Sequence, residues 1–112
     1  MDITFSTNKL FRMANDNSFA IRKLGNLRAK LFSDRLDDMD AATTLEDVRH
    51  LPGNYHELTA DRKGQWACDL DQPYRLIFRP HEEPIPTDKD GKHVWIEITG
   101  VEILEITNYH GK

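Results

Sequence analysis

Several polar side chains interrupt the apolar segments in the second half of the chain, and their types suit acid–base chemistry on a phosphodiester. They are His56, Arg75, Arg79, Tyr109 and His110. A neutral His accepts a proton from a ribose 2′-OH, and a protonated His donates one to a leaving 5′-oxygen. The planar fork of Arg donates two parallel hydrogen bonds to a phosphate. Two His, an Arg and a Tyr would therefore suffice for RNA cleavage without a metal.

The same residues also have a purely structural interpretation, and spacing alone leaves both open. An Arg on a half-buried sheet usually pairs with a carboxylate, and a His or Tyr near a chain end often only caps a strand. Cys68 shares a strand side with Trp66 and Leu70, which favours a buried structural thiol over a nucleophile paired with a His.

Other kinds of site lack their signatures. The sequence has no Gly-rich phosphate loop, no Cys pair and no GxSxG segment. None of the five His residues lies at a spacing that by itself specifies a metal site. We therefore expect neither a metal nor a cofactor.

Length and composition indicate one globular domain spanning residues 1–112. With 38% hydrophobic and 30% charged residues, the chain is neither disordered nor membrane-spanning. A single Cys excludes an internal disulfide, and "MDITFSTNKL" lacks the features of a signal peptide. We therefore expect a cytoplasmic protein without a membrane partner.

The net charge of -4 argues against nucleic-acid binding, but the charge is unevenly distributed. Residues 1–35 hold seven basic residues against three acids, and residues 36–61 hold seven acids against one Arg. The basic segment is either a nucleic-acid surface or a solvated face that an acidic partner covers.

Helical patterns fill the first half of the chain after a short strand in "DITF". A helical turn capped by Ser6 or Thr7 comes first. Apolar residues then recur at helical spacing at Ile21, Leu24, Leu27 and Leu31. Gly25 weakens this predicted helix without forbidding it. A further helical segment ends at Pro52-Gly53, with a capping pattern at Thr44 and Asp47.

Strand patterns fill the second half. A short segment, "YHEL", precedes the alternating "GQWACDL", which a turn at residues 71–73 joins to "YRLIFRP". Residues 81–93 form a charged, Pro-rich loop that should be exposed. "VWIEIT" and "VEILEIT" together predict a last strand region whose apolar residues lie on both faces. Helices that precede strands indicate an α+β fold, with N-terminal helices packed on a small, mainly antiparallel sheet.

The ordered motifs "LPGNYHELTADRKGQW", "YRLIFRP" and "VEILEITNYH" resemble the HigB-like branch of the RelE/ParE superfamily of type II toxins. The resemblance covers roughly residues 20–110. It implies a microbial RNase-like toxin fold and cleavage of mRNA on the ribosome. It also implies neutralisation by a helix-turn-helix (HigA-like) antitoxin from the same operon, through which alone the toxin would contact operator DNA.

The resemblance also assigns roles to individual residues. His56 takes the place of the first catalytic His of the family, and Tyr109 and His110 take the places of its terminal Tyr-His. Arg75 takes the place of the phosphate-facing Arg. Lys63 lies in the basic stretch that approaches the substrate in the family. From the sequence itself we add Arg79, which shares a strand face with Arg75, and Asn108 as substrate-binding candidates.

Asn108 departs from the family, which has an acid at this position. An amide cannot act as a general base and cannot support a neighbouring His⁺ by charge. Three hypotheses follow: a ribosome-dependent endoribonuclease toxin, a catalytically weak HigB-like module that binds its antitoxin, and a ParE-like toxin directed at DNA gyrase. A site with His56, Arg75 and His110 favours the endoribonuclease over the gyrase-directed toxin. Asn108 and the net negative charge favour the catalytically weak binding module.

Overall fold

A computed structural model describes residues 1–108 and contains one five-stranded sheet. The strands are β1 (Asp2–Phe5), β2 (His56–Glu57), β3 (Trp66–Asp69), β4 (Tyr74–Pro80) and β5 (Gly100–Asn108). Their spatial order is β1-β5-β4-β3-β2. β1 pairs with β5 in parallel, and every other pair is antiparallel. The predicted α+β fold with a mainly antiparallel sheet is therefore confirmed.

Four helices cover the sheet: α1 (Asn8–Asn15), α2 (Asn17–Leu24), α3 (Asn26–Ala41) and α4 (Leu45–Val48). Thr7 caps α1, because its side chain accepts a hydrogen bond from the Leu10 N–H. Asp16 ends α1 and caps α2 by accepting from the Phe19 N–H. At α4 the backbone N–H of Thr44 donates to Asp47 Oδ2 at 3.1 Å, as the sequence pattern predicts.

The prediction that Gly25 lies within a continuous helix is wrong. Gly25 has a φ of +82°, which ends α2 and begins α3 in a new direction. The predicted apolar stripe is broken as a result: Leu27 is 61% exposed, whereas Phe32 is buried. The left-handed backbone at Gly25 rotates α3 so that Phe32, Leu36 and Met39 turn to the sheet.

The core lies between the helices and one face of the sheet. Trp66, Leu76, Phe78 and Ile103 are fully buried on this face with helix residues such as Phe32. On the opposite face, a small cluster joins Leu58, Ala67, Ile77 and Leu104. Asp69 and Arg75, two residues along from Ala67 and Ile77, lie on the same side of the sheet, which we call the open face.

Segment 94–99 differs from its strand prediction. Trp95–Glu97 form a 3₁₀ turn, and β5 begins only at Gly100. The turn buries Trp95, whose ring packs edge-on to Trp66 at 5.4 Å between centroids. Residues 81–93 are mostly exposed, as predicted, although Thr87 and His93 form a β-bridge within the loop.

None of the helices within residues 1–108 is long and apolar enough to cross a membrane.

Candidate functional site

His56 lies on β2, which a tight turn places at the edge of the sheet. It is the strand partner of Ala67 on β3, so its side chain is on the open face. The turn needs Gly53, which has a φ of +122°. A Cβ on Gly53 would lie 2.6 Å from Nε of Arg35, so a side chain there would displace Arg35 as well as strain the backbone.

The imidazole of His56 has a defined hydrogen bond. Its Nδ1 lies 2.7 Å from the backbone oxygen of Asn54. A carbonyl oxygen only accepts, so Nδ1 carries the proton and donates. Nε2 of the neutral ring is then an acceptor, which is the form that a general base requires.

Arg75 lies on β4, directly opposite Asp69 on β3 and Thr107 on β5. Its Nε is 3.5 Å from Asp69 Oδ1, and both side chains are less than a third exposed. The structural interpretation of this Arg as the partner of a carboxylate is therefore correct. A guanidinium has five N–H donors, so a contact with Asp69 is compatible with a grip on phosphate.

The structure brings His56 and Arg75 to the same face of the sheet. The strand partner of His56, Ala67, is two residues from Asp69, the partner of Arg75. Residues two apart on a strand point to the same side. The two side chains therefore occupy diagonal positions across β3.

Arg79 lies away from this pair. Arg79 is four residues beyond Arg75 on β4, a separation of about 13 Å along a strand. It pairs with Glu102 at 2.8 Å. Lys63 and Arg79 line a shared cavity with Glu83 and Ile85. The predicted substrate-binding residues are therefore spread along the sheet.

Asn108 is the last residue that the structure describes, and it is the partner of Tyr74 on β4. Tyr74 packs toward the helices, so by strand alternation Asn108 belongs to the side opposite Arg75. Tyr109 and His110 lie outside the described residues. Their predicted place beside His56 and Arg75 stays a prediction.

Sequence reasoning did not identify Asn54 and Asp69 as site residues. Nδ2 of Asn54 lies 3.4 Å from Asp69 Oδ2, and the N–H of Asp69 donates to the oxygen of Gly53 at 2.7 Å. The only sequence signal was Asn directly after Pro-Gly, which is typical of a turn with positive φ. Asn54 indeed has a φ of +54°.

Cys68 is fully buried, which confirms its structural interpretation. Burial raises the pKa of its thiol to about 12, so it is not a thiolate nucleophile at neutral pH. Within residues 1–108, no group of His, Cys, Asp or Glu side chains is arranged to hold a metal ion.

A groove of about 340 Å³ lies on the helix side, at the same end of the sheet as Tyr74. We call it the basic groove. Leu10, Met13 and Ile106 give it an apolar lining. Its charged lining residues are Lys9, Lys23, Arg28 and Glu105, three basic against one acidic. Many of the basic residues of segment 1–35 have other partners, such as Arg28 with Asp71 and Lys30 with Asp34.

Comparisons with known proteins give a structural likeness only. No protein-family model matches the chain, and no curated protein matches it by sequence. A YoeB dimer from Staphylococcus aureus superposes with a TM-score of 0.54 over 98% of this chain and 97% of that chain, at 17% identity. A YoeB/ParE toxin from Agrobacterium tumefaciens covers 95% of both chains at 12% identity, with a TM-score of 0.46. The superposition on the Staphylococcus aureus protein shows that the chain has the α+β fold of YoeB.

Proposed function

We propose that this protein is the toxin of a type II toxin–antitoxin system and that it cleaves mRNA on the ribosome without a metal. The observation that carries the proposal is that His56 and Arg75 share the open face of a sheet with the fold of YoeB. The ordered motifs of the HigB-like toxins support the same conclusion from the sequence.

The proposed reaction needs a proton acceptor, a proton donor and positive charge on the phosphate. The 2′-oxygen attacks phosphorus as one His takes its proton, and the bond to the 5′-oxygen breaks as the other His protonates it. His56 and His110 fill these two roles, and Arg75 neutralises the phosphate. Tyr109 stacks on a base or donates a hydrogen bond.

The partner of the proposal is a helix-turn-helix antitoxin of the HigA type. Lys9 and Lys23 on the basic groove suit an acidic segment of such a partner by charge, and its lining suits apolar side chains. A reading frame for a helix-turn-helix protein next to this gene would support the assignment. Binding of that protein should weaken when Lys9 and Lys23 are both changed to Glu.

Expression without an antitoxin tests the activity. We expect induced wild-type protein to slow growth and to cut mRNA, measured by primer extension on total RNA. His56→Ala and His110→Ala should each relieve both effects, because an acid–base partner contributes about 10²–10⁴-fold in rate. His50→Ala, which changes an exposed His off this site, is the matched control and should stay toxic.

Asn108→Asp tests the departure from the family. If the amide limits the enzyme, the carboxylate should increase cleavage by supporting a neighbouring His⁺. Harmless expression of both wild type and Asn108→Asp would overturn the endoribonuclease proposal.

The second candidate is a HigB-like module that binds its antitoxin with little or no catalysis. The ion pairs of Arg75 with Asp69 and of Arg79 with Glu102 favour it, because they already neutralise two candidate phosphate ligands. Growth arrest with intact mRNA would instead favour the gyrase-directed alternative, and a supercoiling assay with purified gyrase would test that alternative directly.

A further inference from the structure

Two hydrogen bonds and one ion pair connect the turn before β2 with the end of β3, between the two candidate catalytic side chains. Asn54 contacts His56 through its backbone oxygen and Asp69 through its amide, at 2.7 and 3.4 Å. Asp69 in turn contacts Nε of Arg75 at 3.5 Å. The path from His56 to Arg75 therefore passes through Asn54 and Asp69.

The backbone holds both of these intermediate residues in place. The N–H of Asp69 donates to Gly53 at 2.7 Å, and its oxygen accepts from Nε of Arg35 at 2.8 Å. Asn54 adopts a left-handed backbone, which Asn tolerates better than most residues do. The Asn54 carbonyl is thus fixed where it meets the imidazole.

We infer that Asn54 and Asp69 are positioning residues: the Asn54 carbonyl fixes the His56 tautomer, and Asp69 orients Arg75 and anchors Asn54. The inference rests on the proposed function for its catalytic meaning. Neither residue needs to touch the substrate. Their effect is to present Nε2 of His56 and the guanidinium of Arg75 from one rigid framework.

The His56 tautomer gives a direct spectroscopic test. In full-length protein labelled with ¹⁵N-His, two-bond ¹H–¹⁵N spectra at a pH where the rings are neutral identify the protonated nitrogen of each His. We expect His56 to carry its proton on Nδ1, the less common form of free histidine. The internal control is His50, whose ring makes no hydrogen bond to any residue within 1–108 and which should show Nε2–H.

Two substitutions at residue 54 distinguish the effect of the Asn54 side-chain amide from the effect of its backbone conformation. Asn54→Gly keeps the left-handed backbone but removes the contact with Asp69, so the ratio of Nδ1–H to Nε2–H at His56 should fall about fivefold, as for loss of one hydrogen bond. Asn54→Ala also strains the backbone and should lower the ratio further. A purely structural role would leave the tautomer unchanged in any variant that still folds.

Asp69→Asn tests the contact with Arg75. It keeps the shape of the side chain but removes its charge, and kcat for RNA cleavage should fall about ten- to a hundredfold through misplacement of the guanidinium. KM should change much less. A change confined to KM would overturn the role assigned to Asp69.

The outcomes of these tests separate the inference from the proposed function. A wild-type His56 ring protonated on Nε2 would overturn the inference even if the protein cleaves RNA. A ring protonated on Nδ1, lost in the Asn54 variants, would support the positioning role. Absence of cleavage in that case would count against the proposed function alone.

Discussion

At the scale of single residues, the burial of Tyr55 and Cys68 has a large electrostatic consequence. Burial raises the pKa of both groups, and that of Cys68 reaches about 12. Tyr55 satisfies its hydroxyl by donating to the oxygen of Arg35 at 3.1 Å. Both groups therefore stay protonated in the folded protein at a pH where they ionise in the unfolded chain.

This difference predicts a loss of stability at alkaline pH. The ordinary pKa of the thiol is 9.0, so above this pH the folded state binds more protons than the unfolded state, and the free energy of unfolding falls as pH rises. The loss from Cys68 should reach about 1.4 kcal/mol by pH 10. Urea unfolding measured from pH 7 to pH 10 checks this.

Cys68→Ala is the matched variant for the alkaline effect. It costs stability at every pH because it leaves a cavity, but the dependence on pH between 8 and 10 should become shallower. Iodoacetamide should modify native Cys68 only after unfolding. Rapid alkylation of the folded protein at pH 8 would contradict the buried thiol.

At the scale of elements, the turn before β2 depends on close packing of the Arg35 side chain against the Gly53 backbone. Arg35 on α3 packs over Gly53 while its Nε donates to the oxygen of Asp69. The helix layer, the turn and β3 therefore meet at one point, directly before His56.

Gly53→Ala should therefore be more costly than an ordinary substitution of a glycine with positive φ. A Cβ at Gly53 would meet Arg35, whereas a Cβ at Gly91, which has a φ of +81°, would meet no atom within 4 Å. We expect Gly53→Ala to lower the free energy of unfolding by about 2–3 kcal/mol and Gly91→Ala by about 1 kcal/mol. Urea unfolding of both variants measures the difference, and equal costs would exclude a role for the Arg35 contact.

At the scale of the whole molecule, one ion pair joins the helix layer to the turn between β3 and β4. Arg28 donates from Nε and Nη2 to the two carboxylate oxygens of Asp71 at 2.9 and 3.0 Å. Its guanidinium also stacks over the Tyr74 ring at 3.5 Å. Both side chains are 22% exposed, so solvent screens the pair less than the surface pairs.

This pair predicts a loss of stability in acid. The hydrogen bonds from Arg28 lower the pKa of Asp71. The ionised Asp71 therefore contributes its full stabilisation above the ordinary pKa of Asp, and this stabilisation is lost as pH falls below that pKa. Asp71→Asn should lower the free energy of unfolding by about 1 kcal/mol at pH 7 and by less at pH 3. Thermal unfolding at both pH values measures this.

Lys30→Ala is the control for the acid effect, because it removes an exposed pair with Asp34 on the same helix. It should change stability by less than about 0.5 kcal/mol at either pH. A cost for Asp71→Asn that does not change between pH 7 and pH 3 would contradict an ionic contribution.

Much of the fold follows from local signals in the sequence. The caps at Thr7 and Thr44, the turn at residues 71–73 and the alternation in β3 and β4 each depend on neighbours a few residues away. The same alternation correctly placed Arg75 and Arg79 on one face with Ile77. Local patterns thus predicted these caps and this turn, and the faces of β3 and β4.

The sequence alone determined which residue types are available for phosphodiester chemistry and that His56 and Arg75 lie on strands. Only the tertiary structure decided that Gly25 turns α3, that Trp95 buries its ring in a 3₁₀ turn, and that Asn54 and Asp69 lie between the two candidate catalytic residues. The physical reason is the distance along the chain between the residues that interact. Caps and alternation are set within a few residues, whereas strand register and burial depend on contacts between segments distant in the chain.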